Sequence, residues 1–340
     1  MTINELLKTA VKLKASDLHL VVGSQPILRI DGELQKIKVK PLSGREAESL
    51  ALSMLDKSQQ DKFLREKELD TAYDLPTGER FRINLHFEKD SIGVAARAIP
   101  KDIPSIEDIG LPAVAKKFTE LPHGLVLVTG PTGSGKSTTL AAMINEINKT
   151  RAENIITLED PVEFLFSPEK SVIRQRQLGT DMITFAEGLK HILRQDPDVV
   201  MVGEMRDLET IATTLTLAET GHLVFATLHT YSAAQTIDRI IDVFPPHQQA
   251  QIKMQLALTL RGVLSQQLVP GKDGKRVAVR EILVNNPAVA NLIREGKIQQ
   301  INTVLQTGSR FGMMTLEQDF KRLIKEKMLT EEAAKAYLVK

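Results

Sequence analysis

The chain has 340 residues, with 44 Lys plus Arg against 43 Asp plus Glu and a formal net charge of +1. That length allows two or more domains with substantial cores, and the charge balance argues against a surface that coats nucleic acid. Cysteine and tryptophan are absent and aromatics make up 4%, which excludes disulfides and thiolate metal sites and leaves no evident stacking platform for single strands. No apolar run approaches the roughly 20 residues of a membrane span. Met1 to Lys14 lacks the continuous apolar core of a signal peptide.

In chain order, Ile3, Leu6, Leu7, Ala10 and Val11 recur at helical spacing. They predict an amphipathic helix packed on its own domain rather than on a membrane. Residues 18–22 and 27–30 read as strands joined by a turn at Gly23–Pro26, and Asp31-Gly32 is a hairpin turn signal. Helical text runs from Gly44 to Glu68. Two alternating runs follow, 81–87 and 92–99. Folding them at Lys89-Asp90 sets Phe81 against Ala98, Ile83 against Ala96, Leu85 against Val94 and Phe87 against Ile92. All four pairs are apolar and share one face, as a hairpin over a core requires. The same register sets Arg82 opposite Arg97 on the other face. Two facing guanidiniums are unfavourable unless an anion lies near them, so this is read as an anion-facing hairpin; the alternative is that both point to water or pair with carboxylates. Residues 1–100 thus read as a first, α+β domain. Pro100, Pro104, Gly110 and Pro112 mark 101–112 as a linker.

From 113 to about 270, strand and helix patterns alternate, which predicts a mainly parallel sheet. Strands are expected at 125–129, 155–158, 199–202 and 223–227. After the first comes Gly130-Pro131-Thr132-Gly133-Ser134-Gly135-Lys136-Ser137, which fits the phosphate-loop pattern at every fixed position. Thr138 to Ile147 reads as a helix with Leu140, Met143, Ile144 and Ile147 on one stripe. Strand, glycine-rich turn and helix form the context this chemistry needs. Glycines let backbone N–H groups turn inward around phosphate oxygens, and the helix N-terminus adds partial positive charge. Lys136 would reach the β- and γ-phosphates, and Ser137 would ligate Mg²⁺.

Such a site needs an acid at the end of a neighbouring strand. Val199–Val202 ends in Gly203-Glu204, so Glu204 is the candidate. Asp198 sits at the other end of that run, roughly 20 Å away at about 3.3 Å per residue. Glu159, Asp160 and Glu163 cluster after another core strand, with Pro161 stiffening the turn. They read either as an acidic helix start or as a base that orients the attacking water, and company with Lys136 and Glu204 favours the second. His222 and His229 flank the strand at 223–227, about 23 Å apart by the same rise, too far to share a metal. His229 follows the end that faces ligands in open α/β sheets. Residues 271–340 read as helices. One spans Ala288–Glu295, and another begins at Thr315 with Gln318 placed for a capping box and Leu316, Phe320, Leu323 and Ile324 as its stripe.

Together these pieces resemble the secretion ATPase superfamily of type II secretion and type IV pilus motors, over nearly the whole chain. Ala15–Leu20 resembles the start of its N-terminal domain, Glu159–Phe164 its acidic box, 203–207 its second nucleotide motif, and 221–230 its histidine box. Within the superfamily the chain looks most like the pilus-retraction ATPases of twitching motility. Residues 288–295 resemble their signature helix, with Val289 and Ala290 departing from it and Asn291 to Glu295 agreeing. The lack of cysteine sits with that branch, since assembly and secretion ATPases commonly carry a four-cysteine zinc element.

The resemblance implies an α/β fold: a RecA-like P-loop ATPase core, an N-terminal PAS-like α+β domain and a helical C-terminal part. It implies a Mg²⁺-dependent ATPase that binds ATP through residues 130–138, with Thr138 included. Glu163 looks like the general base, and Glu204 the acid associated with Mg²⁺, directly or through water. His229 would sense the γ-phosphate, and Arg82 and Arg97 match arginines that reach phosphates from the N-terminal domain. Arg174, Arg194, Arg206 and Arg239 fall in matching segments without an assigned contact. The implied partners are five further copies in a homohexamer, with ATP sites near subunit junctions, an inner-membrane pilus platform protein and related pilus ATPases, with no nucleic acid. The implied location is cytoplasmic, peripheral to the inner membrane at the pilus base. The alternatives are a pilus assembly or type II secretion ATPase, a ring-shaped nucleic-acid translocase, and a nucleotide-gated binder that does not turn over.

Overall fold

In the computed structural model, helix α1 (Ile3–Lys12) starts at Thr2, whose hydroxyl accepts from the Glu5 N–H while the Glu5 carboxylate accepts from the Thr2 N–H. Ile3, Leu6, Leu7 and Ala10 are buried against the helix's own unit. Val11 is exposed, because position 11 lies about 90° round the helix from the centre of that stripe. The structure describes residues 1–30, 32–100, 102–272 and 274–338. They form two units, residues 1–102 with 163–165, and residues 103–162 with 166–340.

The first unit holds a six-stranded antiparallel sheet of β1 (Asp17–Leu20), β2 (Ile27–Ile30), β3 (Glu33–Lys36), β4 (Glu68–Asp74), β5 (Arg80–Glu88) and β6 (Ser91–Ala98), in the order β3-β2-β1-β6-β5-β4. The β5–β6 register is the expected one: Phe81 pairs with Ala98, Arg82 with Arg97, Ile83 with Ala96, Leu85 with Val94 and Phe87 with Ile92. Lys89 and Asp90 both take positive φ, 48° and 58°, as a tight hairpin turn demands. The turn between β2 and β3 contains Gly32, and Asp31 lies outside the described residues. Helical text over 44–68 resolves into α2 (Gly44–Leu52) and α3 (Lys57–Glu66). Asp56 caps the second, and Lys67 ends it in the left-handed region with φ 67°. The chain then enters β4, a strand absent from the sequence reading.

The second unit is built on β7 (Gly124–Thr129), β8 (Asn154–Glu159), β9 (Val172–Gln177), β10 (Val199–Val202), β11 (Leu223–Leu228), β12 (Leu260–Pro270) and β13 (Arg276–Val284). Their order is β13-β12-β7-β11-β10-β8-β9, parallel throughout except for β13 against β12. The helices are α4 (Ala113–Thr119), α5 (Lys136–Thr150), α6 (Phe185–Ile192), α7 (Leu208–Glu219), α8 (Ala233–Asp242), α9 (Pro246–Thr259), α10 (Pro287–Glu295), α11 (Ile301–Thr307), α12 (Leu316–Lys325) and α13 (Glu331–Leu338). Strand pleating sorts the core into two layers. Leu125, Leu127, Ile156, Leu158, Val200 and Val202 join one apolar cluster, while Val126, Val128, Ile155, Val199, Met201 and Phe225 join the other. The second cluster holds α5 by Leu140, Met143, Ile144 and Ile147.

The four expected strands are present, each within one residue of its expected ends. The reading of 271–340 as helices needs correction, because β13 occupies 276–284 and the hairpin it makes with β12 crosses position 270. The cause lies in what the hairpin buries. Ser265, Gln266 and Arg280 are nearly inaccessible, so polar letters interrupt the apolar pattern by which a buried strand is read. The capping box of Thr315 and Gln318 at α12 is present as expected. The proline-spaced segment around 101–112 is packed from Ile106 onward, with Ile106 and Leu111 buried in the second unit's core; Lys101 lies outside the described residues.

Candidate nucleotide site

Parallel strands bring their C-terminal ends to one edge. At that edge β7 feeds the loop at 130–135, β11 leads to His229, β10 to Glu204 and β8 ends at Glu159. The loop's glycines have separate reasons. Gly130 takes φ 145°, and a Cβ there would sit 2.2 Å from the Gln266 carbonyl oxygen. Gly135 takes φ 87° as the N-cap of α5 and offers no side-chain cap, so the first N–H groups of the helix stay available to an anion. Lys136 arches back over the loop, its Nζ donating to the carbonyl oxygens of Gly130 at 2.8 Å and Pro131 at 3.1 Å.

Glu204 is the hub of the acidic side. Its carboxylate meets Arg206 at 2.7 Å and Nε2 of His229 at 3.1 Å. Burial by itself would raise its pKa. The hydrogen bond from Arg206, the charge of Arg206 and the charges of His229 and Lys136 outweigh burial and hold the carboxyl below its ordinary value. Thr227 donates its hydroxyl to the Gly203 carbonyl and so ties β11 to the turn that carries Glu204. Glu159 is buried and engaged, accepting from the Thr157 hydroxyl at 2.6 Å and from Gln175 Nε2 at 3.0 Å. Glu163 lies beyond the cis Asp160–Pro161 peptide and is exposed.

Beside the loop lies a cavity of about 440 Å³, bounded by Gly135, Thr138, Gln266, Arg276, Arg280 and Arg322 among others. Arg280 is 2% exposed and donates to the carbonyls of Gly110 at 3.0 Å and Ile109 at 2.8 Å. Burial brings its pKa down to about 10, opposed by the charge of Asp319. Its backbone N–H donates to the Asp319 carboxylate at 2.7 Å, and Arg322 closes on the same carboxylate at 2.7 Å.

The family described as "Type II/IV secretion system protein" matches residues 107–337. The chain belongs to that family. It is 44% identical, over 98% of its length and 97% of the relative's, to the protein of Pseudomonas aeruginosa named type IV pilus retractation ATPase PilT. It is 45% identical, over 98% of its length and 90% of the relative's, to a twitching motility protein of Neisseria gonorrhoeae. Among solved structures, the pilus retraction motor PilT with bound ADP matches with a TM-score of 0.93 at 43% identity, covering 98% of this chain and 96% of that one. The α/β fold of this ATPase is the family's. Among the described residues no helix is long and apolar enough to cross a membrane.

Within this secretion ATPase, Lys136, Glu204 and His229 converge on one sheet edge, and Arg206 joins them as the partner of Glu204. Arg174 on β9, Arg194 after α6 and Arg239 on α8 are exposed. In the first unit, Arg82 and Arg97 do oppose each other, yet the carboxylate-paired alternative is the one present. Arg97 Nε donates to Asp17 at 2.8 Å, and Arg82 stands 3.9 Å from Asp70. Both arginines keep much of their surface, with side chains 46% and 71% exposed for Arg82 and Arg97. Gln266, Thr139 and Arg280 were missed by sequence reasoning. The signal for Gln266 was three polar letters, Ser265-Gln266-Gln267, inside an apolar run; Thr139 and Arg280 carried none.

Proposed function

We propose that the chain is a hexameric motor in which ATP hydrolysis drives retraction of type IV pili, acting in the cytoplasm on an inner-membrane platform protein. The observation that carries this reading is 44% identity across 98% of the chain to a relative named as a retraction ATPase. The loop at 130–138 cradles the phosphates, and Lys136 leaves its carbonyl partners to pair with phosphate oxygens. Ser137 and Glu204 present oxygen donors, the type Mg²⁺ takes, with Glu204 kept ionised by Arg206. They would hold Mg²⁺, in part through water, and the ion would neutralise phosphate charge. Glu163 takes the proton of the attacking water. His229, oriented by Glu204, senses the γ-phosphate. Arg82 and Arg97 add positive charge toward the phosphates during turnover.

Purified Lys136→Ala and Glu163→Gln proteins are expected to lose phosphate release while keeping their circular dichroism. Full activity in either variant removes that residue from the mechanism. Deletion of the gene, complemented by Glu204→Ala, reads the direction of work. Surplus pili without twitching mean retraction, and bald cells mean assembly.

A further inference from the structure

Gln266 stands in β12, next to the phosphate loop but outside it, and is 1% exposed. Its Nε2 donates to the Ser134 carbonyl oxygen at 2.8 Å. Its Oε1 accepts from the Thr139 hydroxyl, in the first turn of α5, at 2.9 Å. A carbonyl oxygen can only accept, so the NH₂ end must face Ser134 and the oxygen must face Thr139. The amide thus has one orientation that satisfies both neighbours. The backbone of the same residue crowds Gly130, whose Cβ position lies 2.2 Å from the Gln266 carbonyl oxygen. Gln266 therefore touches the start of the loop, its end and the helix that follows.

The consequence comes from peptide geometry. The Ser134 C=O and the Gly135 N–H belong to one planar trans peptide, in which the two groups point in opposite directions. A carbonyl drawn toward β12 turns its N–H away from β12. We propose that Gln266 is a positioning residue for ATP turnover: its side-chain amide fixes the Ser134–Gly135 peptide so that the Gly135 N–H stays turned to the β-phosphate. This rests on the phosphate-loop reading of residues 130–138. Without the amide, the peptide can rotate and present a carbonyl dipole to the phosphate, which repels it.

The test compares ADP with AMP, which lacks the β-phosphate, by calorimetry on the full chain. Gln266→Met keeps most of the volume and removes both hydrogen bonds. Gln266→Glu keeps the shape but cannot donate to Ser134 when ionised. Both are expected to weaken ADP about tenfold, the scale of one lost hydrogen bond to a charged group, and to leave AMP affinity unchanged. KM for ATP should rise more than kcat falls. Wild-type ADP affinity, or equal losses for ADP and AMP, overturns the proposal. If the Gln266 variants do not fold, Thr139→Val and Thr139→Ser decide. Valine removes the donor and should lower the ADP preference over AMP, while serine keeps the donor and should retain it; any other pattern overturns the proposal. Lys136→Ala is the control. If it binds ADP as tightly as wild type, the phosphate-loop reading itself is wrong, whereas a loss there with none at Gln266 sinks the Gln266 role alone.

Discussion

At the scale of single residues, backbone crowding and charge set the energies of this protein. Gly130 and Gly133 both carry positive φ in the phosphate loop, yet they face different surroundings. A Cβ on Gly133 meets open space, whereas one on Gly130 meets strand backbone at 2.2 Å. Gly133→Ala is expected to cost about 1 kcal/mol, the strain of a left-handed alanine. Gly130→Ala should cost clearly more, because β12 cannot move aside without breaking its ladder; urea unfolding of the two variants ranks them. Asp17 gives a charge-based case. It lies between Arg97 at 2.8 Å and Arg29 at 4.0 Å. Burial would raise its pKa, but the hydrogen bonds from Ser16 and Arg97 prevail and lower it. A carboxyl lowered in the folded state stabilises above its unfolded pKa, and that stability is lost as pH falls through the folded value. Asp17→Asn should therefore cost about 1 kcal/mol at pH 7, a modest sum because Arg97 is largely exposed. The difference from wild type should shrink as pH falls below 3.8 and through the folded value. A difference independent of pH would assign the effect to packing instead.

At the scale of elements, legibility followed the simplicity of each environment. Helix α12 could be read because Thr315 and Gln318 announce its start and its stripe repeats cleanly. The β5–β6 hairpin could be read because one face is wholly apolar and a one-residue slip would invert it. β12 and β13 could not, because their buried and half-buried polar side chains serve other elements. Gln266 holds the loop, Arg280 holds the carbonyls of Ile109 and Gly110, and Glu281 accepts from the Ala233 N–H at the start of α8 at 2.8 Å. Burial pushes the Glu281 pKa up, against the lowering effect of that N–H. With a folded pKa above the unfolded one, the carboxyl favours the fold at low pH, and that contribution is lost as pH rises through the folded value. Glu281→Gln keeps an acceptor for Ala233 and removes the buried charge. The variant should be more stable than wild type at pH 8 and lose that advantage at pH 4, as thermal melts at the two pH values would show. An advantage that persists at pH 4 would contradict the buried-charge account.

At the scale of the whole molecule, the sequence carried the nucleotide edge better than its support. The phosphate loop, Glu204 and His229 are contiguous motifs at strand ends, so each could be found alone. The cavity beside the loop draws on residues from 107 to 328, and no local pattern joins such distant positions. Chelation tests the edge as a unit: EDTA should stop hydrolysis, added Mg²⁺ should restore it, and circular dichroism should not change. Hydrolysis that continues in EDTA would remove Ser137 and Glu204 from any metal role. The place of β7 in the sheet has a mechanical meaning. Its residues are paired from Gly124 to Thr129 with β11 on one side, and from Leu125 to Thr129 with β12 on the other. A pull along β7 loads all those rungs in shear together, while a pull across them would open one after another, like a zip. Tension reaching the loop through its strand is thus spread over two ladders before any rung yields. The loop and the start of α5 lie outside those ladders and are tied to one of them through Gln266, at Ser134 and Thr139, so a load on β12 reaches them through a single side chain.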